Sequence, residues 1–131
     1  MYFRGRLLAI TLCGALSAGS VQAAVTEDSF LLRDTADLVD VCSAAQSDPL
    51  YTPASNFCHG FAVGVFRVLQ EEDMARHSRH MFCVPTPMPT RNEGVASFVQ
   101  WAKADASRMS LRPADGVATF LAQRFPCPSG R

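Results

Sequence analysis

A small all-α domain of four helices, stapled by disulfides and following a cleavable leader, is the fold that the sequence predicts. Three observations lead there. Apolar residues recur at helical spacing in segments separated by prolines and capping residues. No run alternates in the manner of a strand. Four cysteines follow an N-terminal apolar stretch.

The leader comes first. Arg4 and Arg6 form a short basic region, Leu7 to Gly19 is an apolar run, and Val21-Gln22-Ala23 places small residues at the minus-three and minus-one positions of a cleavage site. Residues 1–23 therefore read as a signal peptide cut after Ala23. A bilayer-spanning helix needs about 20 apolar residues, and this run is shorter and ends in Ser20 and Gln22. Cys13 follows Leu12 rather than the small residue of a lipobox, so a lipid anchor is not expected.

The remaining chain, 24–131, is 108 residues long, enough for one compact domain. Without Arg4 and Arg6, the 12 basic side chains fall to 10 against 12 acidic ones, a net charge of −2. That balance argues against nucleic acid or an anionic membrane as partner. Cys42, Cys58, Cys83 and Cys127 remain after cleavage, and an even number in a small exported domain reads as a disulfide framework in the oxidising periplasm. Three pairings are open. Cys42 with Cys58 and Cys83 with Cys127 is favoured, and Cys58 with Cys83 is the main rival. In the chain-entropy model the two favoured loops are worth about 3 and about 4 kcal/mol.

Ala24 to Asp34 is polar apart from Phe30-Leu31-Leu32 and is expected to be a short surface strand or tail. Thr35 is the expected N-cap of the first helix, with Asp37 in the first turn at the positive end of the helix dipole. Leu38, Val39, Val41, Cys42 and Ala45 give that helix one apolar side, and Ser47-Asp48-Pro49 with Thr52-Pro53 ends it.

A second helix is expected from about Ala54 or Ser55 to Gln70 or Glu72, with Phe57, Phe61, Val65 and Leu69 as its apolar stripe. Gly60 and Gly64 each cost about 1 kcal/mol inside a helix relative to alanine. They are therefore read as helix-packing residues that admit another backbone, within the domain or in a dimer. Glu71 to His80 switches from acidic to basic without apolar period, as a helix end running into an exposed loop does.

Phe82-Cys83-Val84-Pro85, with Pro87 and Pro89, is a rigid extended connector. Thr90-Arg91-Asn92-Glu93 matches the capping box and starts a third helix reaching about Ser107, buried through Val95, Phe98, Val99 and Ala102. Pro113 and Asp115 open a fourth helix facing the core through Val117, Phe120, Leu121 and Phe125. Pro126-Cys127-Pro128 stops it.

Catalytic chemistry finds little support. Cys58-His59 places a thiol beside an imidazole, but adjacent helical residues point about 100° apart, and a bridged sulfur is no nucleophile. His77-x-x-His80-x-x-Cys83 has a spacing that suits zinc, yet Cys83 is wanted for a bridge and no fourth ligand lies near in sequence. Asp37 and Asp40 are explained as helix support. No catalytic residue, metal or cofactor is therefore expected, and a module without such equipment acts by binding.

The cysteine, glycine and proline segments carry a resemblance. Asp37-Leu38-Val39-Asp40-Val41-Cys42, Phe57-Cys58-His59-Gly60-Phe61-Ala62-Val63-Gly64-Val65, Phe82-Cys83-Val84-Pro85 and Phe125-Pro126-Cys127-Pro128 together resemble the Rap/Tai immunity proteins of type VI secretion systems. The resemblance covers about Thr35 to Pro128. It implies a periplasmic, helical, often dimeric protein that binds a peptidoglycan amidase effector and blocks its cleft by steric occlusion. Toxin contact is expected on exposed connectors, through Glu72, Asp73, Arg76, His77, Arg79 and His80, or through Arg108 and Arg112 in the turn Ser107 to Arg112. The alternative is an acid-stress chaperone of the Hde kind, or a related helical module with another partner.

Overall fold

A computed structural model describes residues 24–75 and 80–128. The expected signal peptide, 1–23, and Arg76, His77 and Arg79 lie outside the described residues. The chain forms a 3-10 turn, Glu27–Leu31, then α1 (Thr35–Cys42), α2 (Tyr51–Ala75), α3 (Arg91–Lys103), α4 (Ala106–Met109) and α5 (Pro113–Arg124). The domain is all-α as expected: no strand forms among the described residues, and the segment expected as a strand or tail coils into the 3-10 turn.

The shortest of the long elements holds the centre. Helix α1 touches the 3-10 turn and every other helix, and Thr35, Leu38, Val39 and Val41 are fully buried on it. Burying each of the aliphatic side chains Leu38, Val39 and Val41 contributes about 1.5–3 kcal/mol, and no residue of α1 is exposed. Leu38 and Val39 join Phe82, Phe98, Val117, Phe120 and Leu121 in the main core, and Phe61, Val65, Phe66 and Leu69 of α2 close over it. A smaller cluster of Val25, Val41, Ala54 and Cys58 lies under the N-terminal segment.

Helix boundaries moved where side chains found tertiary partners. Asp34, not Thr35, caps α1, accepting the Asp37 N–H at 3.1 Å. Thr35 is taken up elsewhere, its backbone and hydroxyl both donating to the Leu111 carbonyl, at 2.8 and 3.0 Å. Helix α2 starts at Tyr51 and carries Pro53 in its first turn, where amides lack intrahelical partners in any case. Asp48 fixes that start by accepting from the Leu50 N–H, and it ties down the N-terminal segment by accepting from Val25. Phe57, expected in the core stripe, is 38% exposed and meets Phe30 edge-on at 5.4 Å instead.

The capping box forms as its sequence requires: Thr90 Oγ1 accepts from the Glu93 amide, and the Glu93 carboxylate accepts from the Thr90 amide at 2.8 Å. Helix α3 ends at Lys103 rather than near Ser107 because Asp105 caps a new turn, accepting from the Ser107 amide at 2.9 Å. That turn, α4, is an α-helix beyond the expected four among the described residues.

The bridges are Cys42–Cys58, joining α1 to α2, and Cys83–Cys127, joining the proline-rich connector to the tail of α5. The Cys83 amide also donates to the Phe125 carbonyl at 2.7 Å, so the connector is held to α5 twice.

Candidate partner-binding site

Of the groups that the sequence offered for chemistry, Cys58, His80 and Cys83 are committed to structure. Cys58 is bridged and 1% exposed, so no thiolate stands beside His59. His80 turns its Nδ1 to the Asp73 carboxylate at 3.3 Å, and Cys83 is bridged. Among the described residues no cluster of three or more His, Cys, Asp or Glu side chains is placed to hold a metal ion.

The residues expected to contact a partner divide in two. Glu72 is exposed on the last turns of α2. Asp73, one residue on, is 6% exposed and accepts from the Met81 amide at 2.7 Å, so it closes the connector onto the helix and presents little to a partner. His80 stands exposed at the point where the connector returns. On the other side of the sequence, Arg108 lies 4.6 Å over the Trp101 ring and donates to the Trp101 carbonyl at 2.6 Å, a clip across the α3–α4 corner. Arg112 is exposed and pairs with Asp115 at 2.6 Å. Both connectors thus have fixed ends, which lowers the ordering entropy that binding must overcome.

Gly60 and Gly64 do not admit another helix of this chain. Both are exposed, and a Cβ added at either would meet nothing within 4 Å. The side of α2 that packs inward carries Phe61, Val65, Phe66 and Leu69. The glycine that does admit a close neighbour is Gly116 of α5, where an added Cβ would overlap the Thr35 side chain. An apolar-to-glycine spacing signals room along a helix, and only the packed chain shows which side is filled.

An open apolar groove of about 270 Å³ runs between α2 and α3 beneath the proline-rich connector. Ala62, Val63 and Phe66 form one wall, Gly94, Val95 and Phe98 the other, and Leu38, Phe120 and Leu121 lie at its base. Met88 and Pro89 reach over one end. The ionisable side chains that line it are His59, Arg67 and Arg91, and no carboxylate does. Neither the groove nor its lining was visible as a unit in the sequence, because its walls come from segments far apart in the chain that only the fold brings together.

A compact helical frame with its cysteines bridged, fixed charged connectors and an open apolar groove has the features of a protein that acts by binding. The family model described as Rap1a immunity proteins matches residues 34–127, and the chain belongs to that family. No curated protein and no solved structure matches the chain significantly. The match runs from the cap of α1 to the last bridged cysteine, so it takes in α1 to α5.

Proposed function

We propose that the chain is a periplasmic immunity protein that binds a type VI secreted peptidoglycan amidase and blocks its cleft, protecting the cell that makes it. The observation that carries the reading is the match to the immunity family over 34–127. Two bridges suit an oxidising compartment, and the expected leader supplies the route to it. Inhibition is steric: an inhibitor of this kind needs a rigid surface that fills the effector's groove and no reacting group of its own. The connector at the end of α2, from Glu72 to His80, and the turn from Ser107 to Arg112 are the surfaces proposed to enter that cleft.

The exposed stripe of Phe57, Gly60, Gly64 and Val68 on α2 is proposed as the face through which two copies meet. Glycines four apart let helix backbones approach closely, and no element of the same chain uses these two.

The test is inhibition of wall-peptide cleavage by a type VI secreted peptidoglycan amidase of the producing cell, at neutral pH, with the mature domain added in equimolar amount. Full inhibition supports the reading, and alanine substitution across each connector locates the contact. Absence of inhibition, together with suppression of client aggregation at low pH, replaces it with the acid-stress chaperone reading.

A further inference from the structure

The groove between α2 and α3 has three features that folding alone does not require. Gly94 sits inside α3, where alanine would be the better helix former, and a Cβ there would meet nothing within 4 Å. The groove wall is therefore left bare at the cost of helix stability, without any neighbour that needs the space. Arg91 occupies the first position of α3, the end at which the helix dipole disfavours a cation. Its guanidinium is exposed and has no hydrogen-bond or ion-pair partner among the described residues. Met88, at the rim, is 60% exposed, and methionine is the apolar side chain that adapts most readily to an incoming surface.

Size and charge choose the occupant. At about 270 Å³ the groove falls just below the range of about 300–1,000 Å³ in which clefts enclose a drug-sized ligand, and it is open along one side. It has room for one or two large side chains. Its ionisable lining is cationic or imidazole with no carboxylate, which complements an acidic partner surface. Buried aromatic or aliphatic anchors in such recesses, ringed by charge, are where protein interfaces concentrate their affinity.

We propose that this groove seats an apolar side chain of the cognate effector, with a carboxylate beside that anchor received by Arg91. The inference rests on the immunity reading and adds to it a second contact region, distinct from the connectors at Glu72–His80 and Ser107–Arg112. The immunity protein then both enters its target and receives an anchor from it, which fixes the orientation of the complex.

The experiment measures effector affinity and association rate for the wild type, Gly94→Phe, Gly94→Leu and Arg91→Glu, with Leu31→Ser as a control on an exposed apolar residue away from the groove. Thermal melts establish that each variant is folded. The expected result is a loss of affinity of at least tenfold for Gly94→Phe and Gly94→Leu, carried by faster dissociation. For Arg91→Glu the association rate falls severalfold and its salt dependence weakens, while Leu31→Ser binds as the wild type does. Should Gly94→Phe fail to fold, Gly94→Leu and Arg91→Glu carry the test. Wild-type affinity in the folded groove variants overturns the inference and leaves the immunity reading standing. No binding of the effector by the wild-type chain overturns both. A wild-type dimer that Gly94→Phe dissociates while effector binding persists assigns the groove to a second copy, and stoichiometric uptake of dodecanoate with effector binding untouched by Gly94→Phe assigns it to an amphiphile; either result overturns the proposal.

Discussion

Thr35 of α1 fills the space that a side chain at position 116 of α5 would need: an added Cβ there would overlap Thr35 Oγ1 and press on its Cγ2. Thr35 is fully buried and its hydroxyl is bonded to the Leu111 carbonyl, so it has nowhere to go. Its β-branched side chain is also stiff about χ1. Gly116→Ala is therefore expected to destabilise the domain by about 1–3 kcal/mol despite alanine's better helix propensity. In a double-mutant cycle with Thr35→Ala the two losses should add to less than their sum, because the second change removes the clash. Chemical denaturation of the four species measures this, and simple additivity would refute the contact.

The other helical glycines should behave in the opposite way. At Gly60, Gly64 and Gly94 an added Cβ meets nothing within 4 Å, so alanine is expected to stabilise each by up to about 1 kcal/mol. If the Phe57–Val68 stripe joins two copies, Gly64→Ala also weakens that dimer, so melts and sedimentation should be read together. A loss of monomer stability at Gly94 would show a neighbour that the fold does not contain.

Reduction should cost more at one bridge than at the other. The Cys83–Cys127 loop spans 44 residues and the Cys42–Cys58 loop 16, so chain entropy assigns about 4 and about 3 kcal/mol to them. In a domain of this size 1 kcal/mol moves the Tm by about 4–8 °C. Paired serine variants, melted separately, should thus both fall by well over ten degrees. Cys58 departs from the entropy ranking in one respect: it is itself buried in a core cluster, so Cys58→Ser adds the cost of a buried hydroxyl.

Acid sensitivity is expected to reside partly in α1. Hydrogen bonds from the Arg33 side chain hold the Asp37 carboxyl below its ordinary range against the effect of burial, and the Arg33 amide adds to them. A depressed folded pKa gives stability that is full above about pH 4 and is lost as pH falls through the folded value. Asp40 is raised, first by burial and then by the charge of Asp37, and so acts with the opposite sign, favouring the fold on the acid side. Asp37→Asn should lower stability at neutral pH and flatten its decline between about pH 5 and pH 3. An unchanged acid limb would show that Asp37 is not its source.

Asp73 should matter through the connector and not through contact. Its buried carboxylate accepts the Met81 amide and faces His80, so Asp73→Ala leaves that amide without its partner at a cost of about 1–3 kcal/mol. Effector affinity should fall with it because the Glu72–His80 connector loses its anchor. Hydrogen exchange at Met81 distinguishes this from direct contact: exchange should accelerate in the free variant.

Local chemistry was legible where a residue's partner lies within a few positions. The Thr90–Glu93 capping box and Pro113 at the first position of α5 could be read directly, since each is decided by three or four residues of backbone geometry. The helical class and the expected pairing of Cys42 with Cys58 followed from spacing along two short segments. Misreadings arose where a side chain answers to distant partners. Thr35 looked like a cap because it stands before an apolar run, but Leu111 and Gly116 claim it. Arg108 is expected at a partner contact, and its guanidinium also lies over the Trp101 ring, an interaction that spacing along the chain does not show.

By itself, then, the sequence determined the helical class, the Thr90–Glu93 capping box, the number of cysteines and the segments that carry the family resemblance, because those depend on periodicity and on neighbours in the chain. Tertiary structure decided which helix is central, which glycine is crowded and where a partner can be received. α2 is the longest helix, yet α1 is the one enclosed, since burial depends on how many other elements a helix meets. Gly60, Gly64, Gly94 and Gly116 are alike as letters inside helices. Only at Gly116 does another chain segment arrive to fill the space, because the approach of α1 to α5 is set by the whole core rather than by either helix.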